Sequence, residues 1–328
     1  MKLTKIIVLA ICLAAVAAPS QAMISRVGTA GALFLKVGMN VRSVGMGEAS
    51  GAILGDAAAV FSNPAGLAGV VTRQAVISDA EWIADIRFMS GVYAFPYGQS
   101  GAAAISAVCV DYGEIPMVRE QQADVIEGTF RPRDVALGVS YARRWTDRLM
   151  VGGSIKYIEE TIADYHSRGV AFDFGTVYFT GFRSLRLAMS TSNFGPDMRF
   201  GGNYLDRYYI GTAYVEQGNE FGGYDLPLNF RVGLAYDFVV SPTSKLMAAI
   251  DATHPNDYSE RVHMGAEYSW DDTIFLRGGY ATNAGEMGLS AGCGFNLKTS
   301  LGRASIDYAY TNFGVFKAVH RFGVGMTF

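Results

Sequence analysis

The chain is poor in the residues from which soluble active sites are usually built. Its 328 residues include three cysteines, four histidines and nine prolines, and only 17% are charged. Cys12 falls in an N-terminal apolar run, which leaves Cys109 and Cys293 and therefore one disulfide at most. Both sit among small and apolar neighbours in apparent strands, so they read as free thiols facing a core or lipid. His166, His254, His263 and His320 are scattered along the chain, without the close spacing that a zinc site on one element shows. No catalytic constellation, metal site or cofactor motif is assembled, and the sequence reads as that of a non-enzyme.

A second long apolar run is also missing. Residues 1–22 carry Lys2 and Lys5, an apolar stretch from Ile6 to Ala18, and Ser20-Gln21-Ala22, the arrangement of a cleavable secretory signal peptide. The stretch is too short for a membrane anchor, which needs about 20 apolar residues. Without the two leader lysines the chain holds 25 basic against 30 acidic residues, a formal charge of about −5. That balance does not suggest a nucleic-acid partner, since phosphate binding needs clustered positive charge.

What is present is 50% hydrophobic residues, with 39 glycines, 18 tyrosines and 20 phenylalanines. They are arranged with a period of two. Phe230, Val232, Leu234, Tyr236 and Phe238 share one face of a strand, with Arg231, Gly233, Ala235 and Asp237 on the other. Val262, Met264, Ala266 and Tyr268 likewise stand against His263, Gly265 and Glu267. Segments of about ten residues with this alternation, separated by turn signals, mark a transmembrane β-barrel, one face to lipid and one to a polar lumen. The spacing predicts strands at 75–84, 86–95, 100–110, 132–145, 149–160, 169–179, 184–194, 227–239, 243–252, 258–269, 273–281, 286–297, 301–310 and 319–328, about fourteen. Short turns at Thr146-Asp147-Arg148, Ser241-Pro242 and Asp271-Asp272 alternate with longer connections at 111–131, 161–168, 195–226 and 311–318. That asymmetry fits periplasmic turns and extracellular loops. The terminal Phe328 closes an alternating strand and resembles the signal by which barrel assembly machinery recognises its substrates. Arg231, Asp237, Glu267 and Arg277 are candidate lumen-facing residues, with Lys156, Asp173, Asp251 and Asp307 on the same inward faces. Charges there are expected to pair and hold a plug against the wall.

Residues 28–72 lack the period of two and are dominated by small residues, as suits a compact hatch packed in a lumen. Ala57 to Phe61 is expected to form a short helix that stops before Asn63-Pro64. Gly45-Met46-Gly47 lacks the third glycine and the flanks of a dinucleotide loop. The segments Phe34-Leu35-Lys36-Val37-Gly38, Arg42 to Ala49, Asp56-Ala57-Ala58-Ala59 and Asn63-Pro64-Ala65-Gly66-Leu67 together resemble the start of the PorV/PorQ group within the FadL-like outer-membrane superfamily. That resemblance implies a fourteen-stranded barrel in the outer membrane of a Gram-negative-type bacterium, with an N-terminal hatch over 23–74 and the barrel over 75–328. It singles out Gly45, Met46, Gly47 and Asp56 as a hatch motif and Asn63, Pro64, Ala65 and Gly66 as a hatch or gate motif.

Two roles follow from the resemblance. One is an accessory to type IX secretion, in which long loops dock secretion components or secreted cargo. The other is transport of a small hydrophobic ligand through a gated lumen. Outer-membrane lipid and barrel assembly machinery are partners in either case.

Overall fold

A computed structural model describes residues 28–98, 100–119, 122–210, 213–282 and 288–328. The expected signal peptide at 1–22 lies outside them. Eighteen strands follow one another: β1 (Gln74–Glu81), β2 (Arg87–Tyr97), β3 (Gly101–Asp111), β4 (Ile115–Arg119), β5 (Gln122–Phe130), β6 (Arg133–Arg144), β7 (Leu149–Ile162), β8 (Tyr165–Phe179), β9 (Arg186–Phe194), β10 (Asn203–Ile210), β11 (Ala213–Glu220), β12 (Asn229–Val240), β13 (Ser244–Pro255), β14 (Arg261–Trp270), β15 (Ile274–Ala281), β16 (Leu289–Thr299), β17 (Gly302–Asn312) and β18 (Ala318–Thr327). Fourteen of them, all but the β4–β5 and β10–β11 hairpins, form one closed antiparallel barrel. Closure is made by β1 and β18, paired from Gln74↔Thr327 to Glu81↔His320. The fourteen wall strands are those that the alternation predicts.

The alternation is also the reason for the burial pattern. Leu187, Leu234, Ile250, Met264, Tyr280 and Leu289 follow one another across β9, β12, β13, β14, β15 and β16 in successive register pairs. All six side chains are exposed on the outer face. Serines, glycines and paired charges occupy the inner one, as lipid outside and a polar lumen inside require. Cys109 and Cys293 are free thiols, and Cys293 is exposed.

Two features differ from expectation. The connection expected at 161–168 is a tight turn, because β7 reaches Ile162 and β8 begins at Tyr165. These outer ends are held by Arg168 Nη2 to Glu159 Oε1 at 2.9 Å and by Thr161 beside His166. Polar pairs beyond the lipid carry no hydrophobic period, so the alternation stops before the strands do. The long connections at 111–131 and 195–226 are not featureless either. Each carries a two-stranded sheet of its own, β4 with β5 and β10 with β11.

Residues 28–73 pack against the strands of the wall. They comprise short 3-10 turns at Leu33–Lys36, Ala57–Phe61 and Pro64–Gly69 and one helix, α1 (Val41–Gly45). α1 packs on β15, β16, β17 and β18, and the Pro64–Gly69 turn packs on β3, β6, β7 and β8. One stretch of chain therefore touches opposite sides of the closed sheet.

Candidate functional site

The N-terminal segment is shaped by side chains that cap its own turns. Asn40 Oδ1 accepts from Ser43 N at 3.2 Å to start α1, and its Nδ2 donates to Asp56 Oδ2 at 3.0 Å. Asp56 Oδ1 in turn accepts from Ala58 N at 2.9 Å, and Asn63 Oδ1 accepts from Ala65 N at 3.0 Å. Such caps satisfy backbone donors that short turns leave unpaired. Pro64 follows Asn63 at the first position of the next turn, where its missing N–H costs nothing.

The two quoted motifs seat this segment on opposite sides of the lumen, each where the wall presents glycine. A Cβ on Gly175 would lie 1.9 Å from Asn63 Oδ1, and Asn63 Nδ2 donates to Gly51 O at 2.7 Å and to Thr176 O at 3.2 Å. Ala65, Gly66 and Leu67 are buried beside it. Across the lumen, a Cβ on Gly279 would lie 2.1 Å from the carbonyl carbon of Met46, whose side chain is fully buried. Backbone meets backbone there, and Gly47 holds a left-handed φ of 64°. Gly279→Val should therefore unseat residues 45–47, since overpacking costs typically about 1–3 kcal/mol. The expected result is protease cleavage within 28–73 of a barrel that still folds; continued protection would show that the wall yields.

Charges complete the seat. Arg42 makes a two-armed contact with Glu267, with Nε to Oε2 at 2.8 Å, and Arg277 Nε donates to the same Oε2 at 2.7 Å. Arg277 also pairs with Asp307. Burial alone would lower the pKa of Arg42, but Glu267 more than offsets it and holds the guanidinium well above its ordinary range. On the neighbouring strands Asp251 Oδ2 accepts from Ser50 N at 2.9 Å, Gly51 N at 2.7 Å and Arg231 Nη1 at 2.8 Å. Arg231 Nη1 also donates to Glu48 O at 2.6 Å. Of the four candidate lumen residues, Glu267 and Arg277 thus meet one another, Arg231 serves a separate pair, and Asp237 stands apart with Arg186 at 2.9 Å. Arg42 was legible only as part of a motif, because its partner lies 225 residues away.

The outer half of the lumen is filled by apolar packing. Phe34, Met39, Phe88, Val110, Ile158, Met198 and Leu226 form one buried cluster with Leu35 and Val37 against it. The loop after β11 enters this cluster, and Gly31 N donates to Asp225 O at 3.0 Å. Tyr224 hydrogen-bonds Glu160 and Ser167, and Tyr112 hydrogen-bonds Asp134. Burial first, and then the adjacent carboxylate, push both phenols above their ordinary range, so they remain donors. Toward the short-turn end a polar chamber of about 400 Å³ remains, lined by Arg42, Asp56, Gln74, Arg277, Arg303 and Asp307 among others. An apolar hollow of about 820 Å³ lies on the wall of β1, β2, β3, β6 and β7, around Ile77, Gly91, Tyr93, Ile105, Ala107 and Leu137.

Gly288-Leu289-Ser290-Ala291-Gly292 has the spacing of a nucleophile elbow, yet it runs into the start of β16, whereas an elbow needs a sharp strand-to-helix turn. The imidazole of His263, which shares a small cavity with Ser290, is occupied by Gly47 O at 2.8 Å and Thr253 Oγ1 at 3.2 Å. Phe328 N donates to Arg73 O at 2.9 Å, and its ring is exposed.

Residues 20–255 match a family model described as type IX secretion system protein PorV. No curated protein matches the chain. Among solved structures, the P. putida toluene transporter TodX is similar with a TM-score of 0.59 at 12% identity, covering 89% of this chain and 99% of that one. The Ralstonia pickettii toluene transporter TbuX gives 0.58 at 13% identity, with coverages of 89% and 98%. A Pseudomonas aeruginosa FadL homologue gives 0.52 at 12%, with 88% and 98%. At such identities the likeness is one of fold, and that fold is an outer-membrane barrel.

Proposed function

The chain belongs to the type IX secretion system protein PorV family, and from that premise we propose that it is a non-enzymatic partner of protein export at the outer membrane. Its extracellular hairpins, β4–β5 and β10–β11, meet secretion components or the exported cargo, and residues 28–73 plug the lumen so that the barrel acts as a platform. The family match carries this reading, since it spans the N-terminal segment and both hairpins. The packing of the outer lumen by Phe34, Met198 and Leu226 supports the plug.

The test is native mass spectrometry of the protein extracted in mild detergent from its own membrane. A protein bound in fixed ratio is expected, and it should be lost when residues 112–131 or 201–222 are replaced by a short Gly-Ser turn. Neither hairpin pairs with the wall, so the barrel should still fold. A protein complex unaffected by both replacements would overturn the docking assignment.

The second reading is passage of a small hydrophobic molecule, favoured by the fold shared with toluene transporters and by the apolar hollow on the wall. It requires an apolar path past the plug, since ligand sites of this class are mostly apolar concavities. Toluene uptake by liposomes carrying the intact protein, faster than by empty liposomes, would establish it.

A further inference from the structure

We infer that the outer half of the lumen contains a site for one small monovalent anion, of halide size, between Arg261 and Arg321. Arg321 faces inward from β18 and is 3% exposed. Its Nη1 donates to Thr311 Oγ1 at 3.2 Å, and the Trp82 ring lies 5.1 Å from the guanidinium carbon. Among the described residues no carboxylate pairs with it, and its buried Nε has no acceptor. Arg261 opens β14, with its guanidinium carbon 4.6 Å from the Tyr258 ring, and its Nε is likewise buried without an acceptor. Both arginines line one cavity of about 20 Å³ with Glu48, His263 and Ser290.

Size and charge define the guest. A cavity of that volume takes a single water-sized particle, which leaves out phosphate and carboxylates. Among the described residues that line it, two guanidinium groups against the one carboxylate of Glu48 leave a single positive charge. His263 is engaged elsewhere, its Nδ1–H donating to Gly47 O and its Nε2 lying 3.2 Å from Thr253 Oγ1. A buried charge and a buried donor without partners are both costly. One monovalent anion removes the excess charge and gives both Nε–H groups an acceptor. Val44, Gly47 and Glu48 line the same cavity, so the anion also ties the N-terminal segment to β14–β18.

The experiment is crystallisation of the full chain from bromide with diffraction at the bromine edge, paired with unfolding by heat in chloride and in gluconate at equal ionic strength. One anomalous peak between the two Nε atoms is expected, with a saturable stabilisation by chloride. Arg321→Gln should abolish both, and Arg261→Gln serves if that variant fails to fold. Absence of the peak, together with equal unfolding temperatures in the two salts, would mean that only water occupies the cavity and would overturn the site.

Discussion

Asp251→Ala is expected to detach the middle of the N-terminal segment from the wall at a cost of about 3–5 kcal/mol, the range for breaking a buried ion pair from one side. The carboxylate is completely buried. One of its oxygens receives Ser50 N, Gly51 N and Arg231 Nη1 together, so alanine leaves two backbone donors without their acceptor and a guanidinium without its counter-charge. The other oxygen rests on Gly233, where a Cβ would come within 2.4 Å. The ladders of β12 and β13 are made by backbone and persist without it. The loss should therefore fall on residues 28–73. Planar-bilayer conductance should rise and trypsin should gain access to Lys36 or Arg42, while the heat-modifiable shift of the folded barrel on gels is retained. Asp251→Asn, which keeps an acceptor but no charge, should be intermediate. Unchanged conductance with unchanged protease resistance would show that Asp251 does not hold the segment.

This result depends on contacts that the sequence does not announce, although the wall around them is plain to read. Leu234 and Gly233 declare their faces because lipid on one side and a crowded lumen on the other impose opposite demands on adjacent residues. Where that contrast fades, so does the signal. Glu159 and Arg168 extend β7 and β8 into water, and both faces of the β4–β5 hairpin lie beyond the barrel wall. Inside the lumen the difficulty is distance along the chain. Met46 and Gly279 are seated against one another, and Arg42 and Glu267 are 225 residues apart. Small residues and a charged pattern mark such positions as packed, but only the closed barrel decides which arginine meets which carboxylate. Arg261 and Arg321 illustrate the limit: each is an ordinary alternating-strand arginine until β14 and β18 bring both to one cavity.

Leu234→Arg tests the opposite face. Leu234 is 42% exposed at the centre of β12, flanked in register by Leu187 and Ile250. An arginine there must reach an interface or carry water into the hydrocarbon, at about 2–4 kcal/mol near the midplane of a barrel's lipid face. Neighbouring strands offer no relief, because Met264 and Tyr280 continue the same apolar row. The expected outcome is a lower yield of heat-modifiable barrel on refolding into vesicles and a urea midpoint shifted downward, whereas Leu234→Phe remains near wild type. Residues 28–73 are not touched by this change, so the folded fraction should keep the conductance of the unsubstituted protein. That separates it from Asp251→Ala: one substitution weakens the wall and leaves the lumen closed, and the other opens the lumen and leaves the wall intact. A Leu234→Arg barrel that inserted with normal yield and stability would place this position away from lipid and would shift the register of β12 by one.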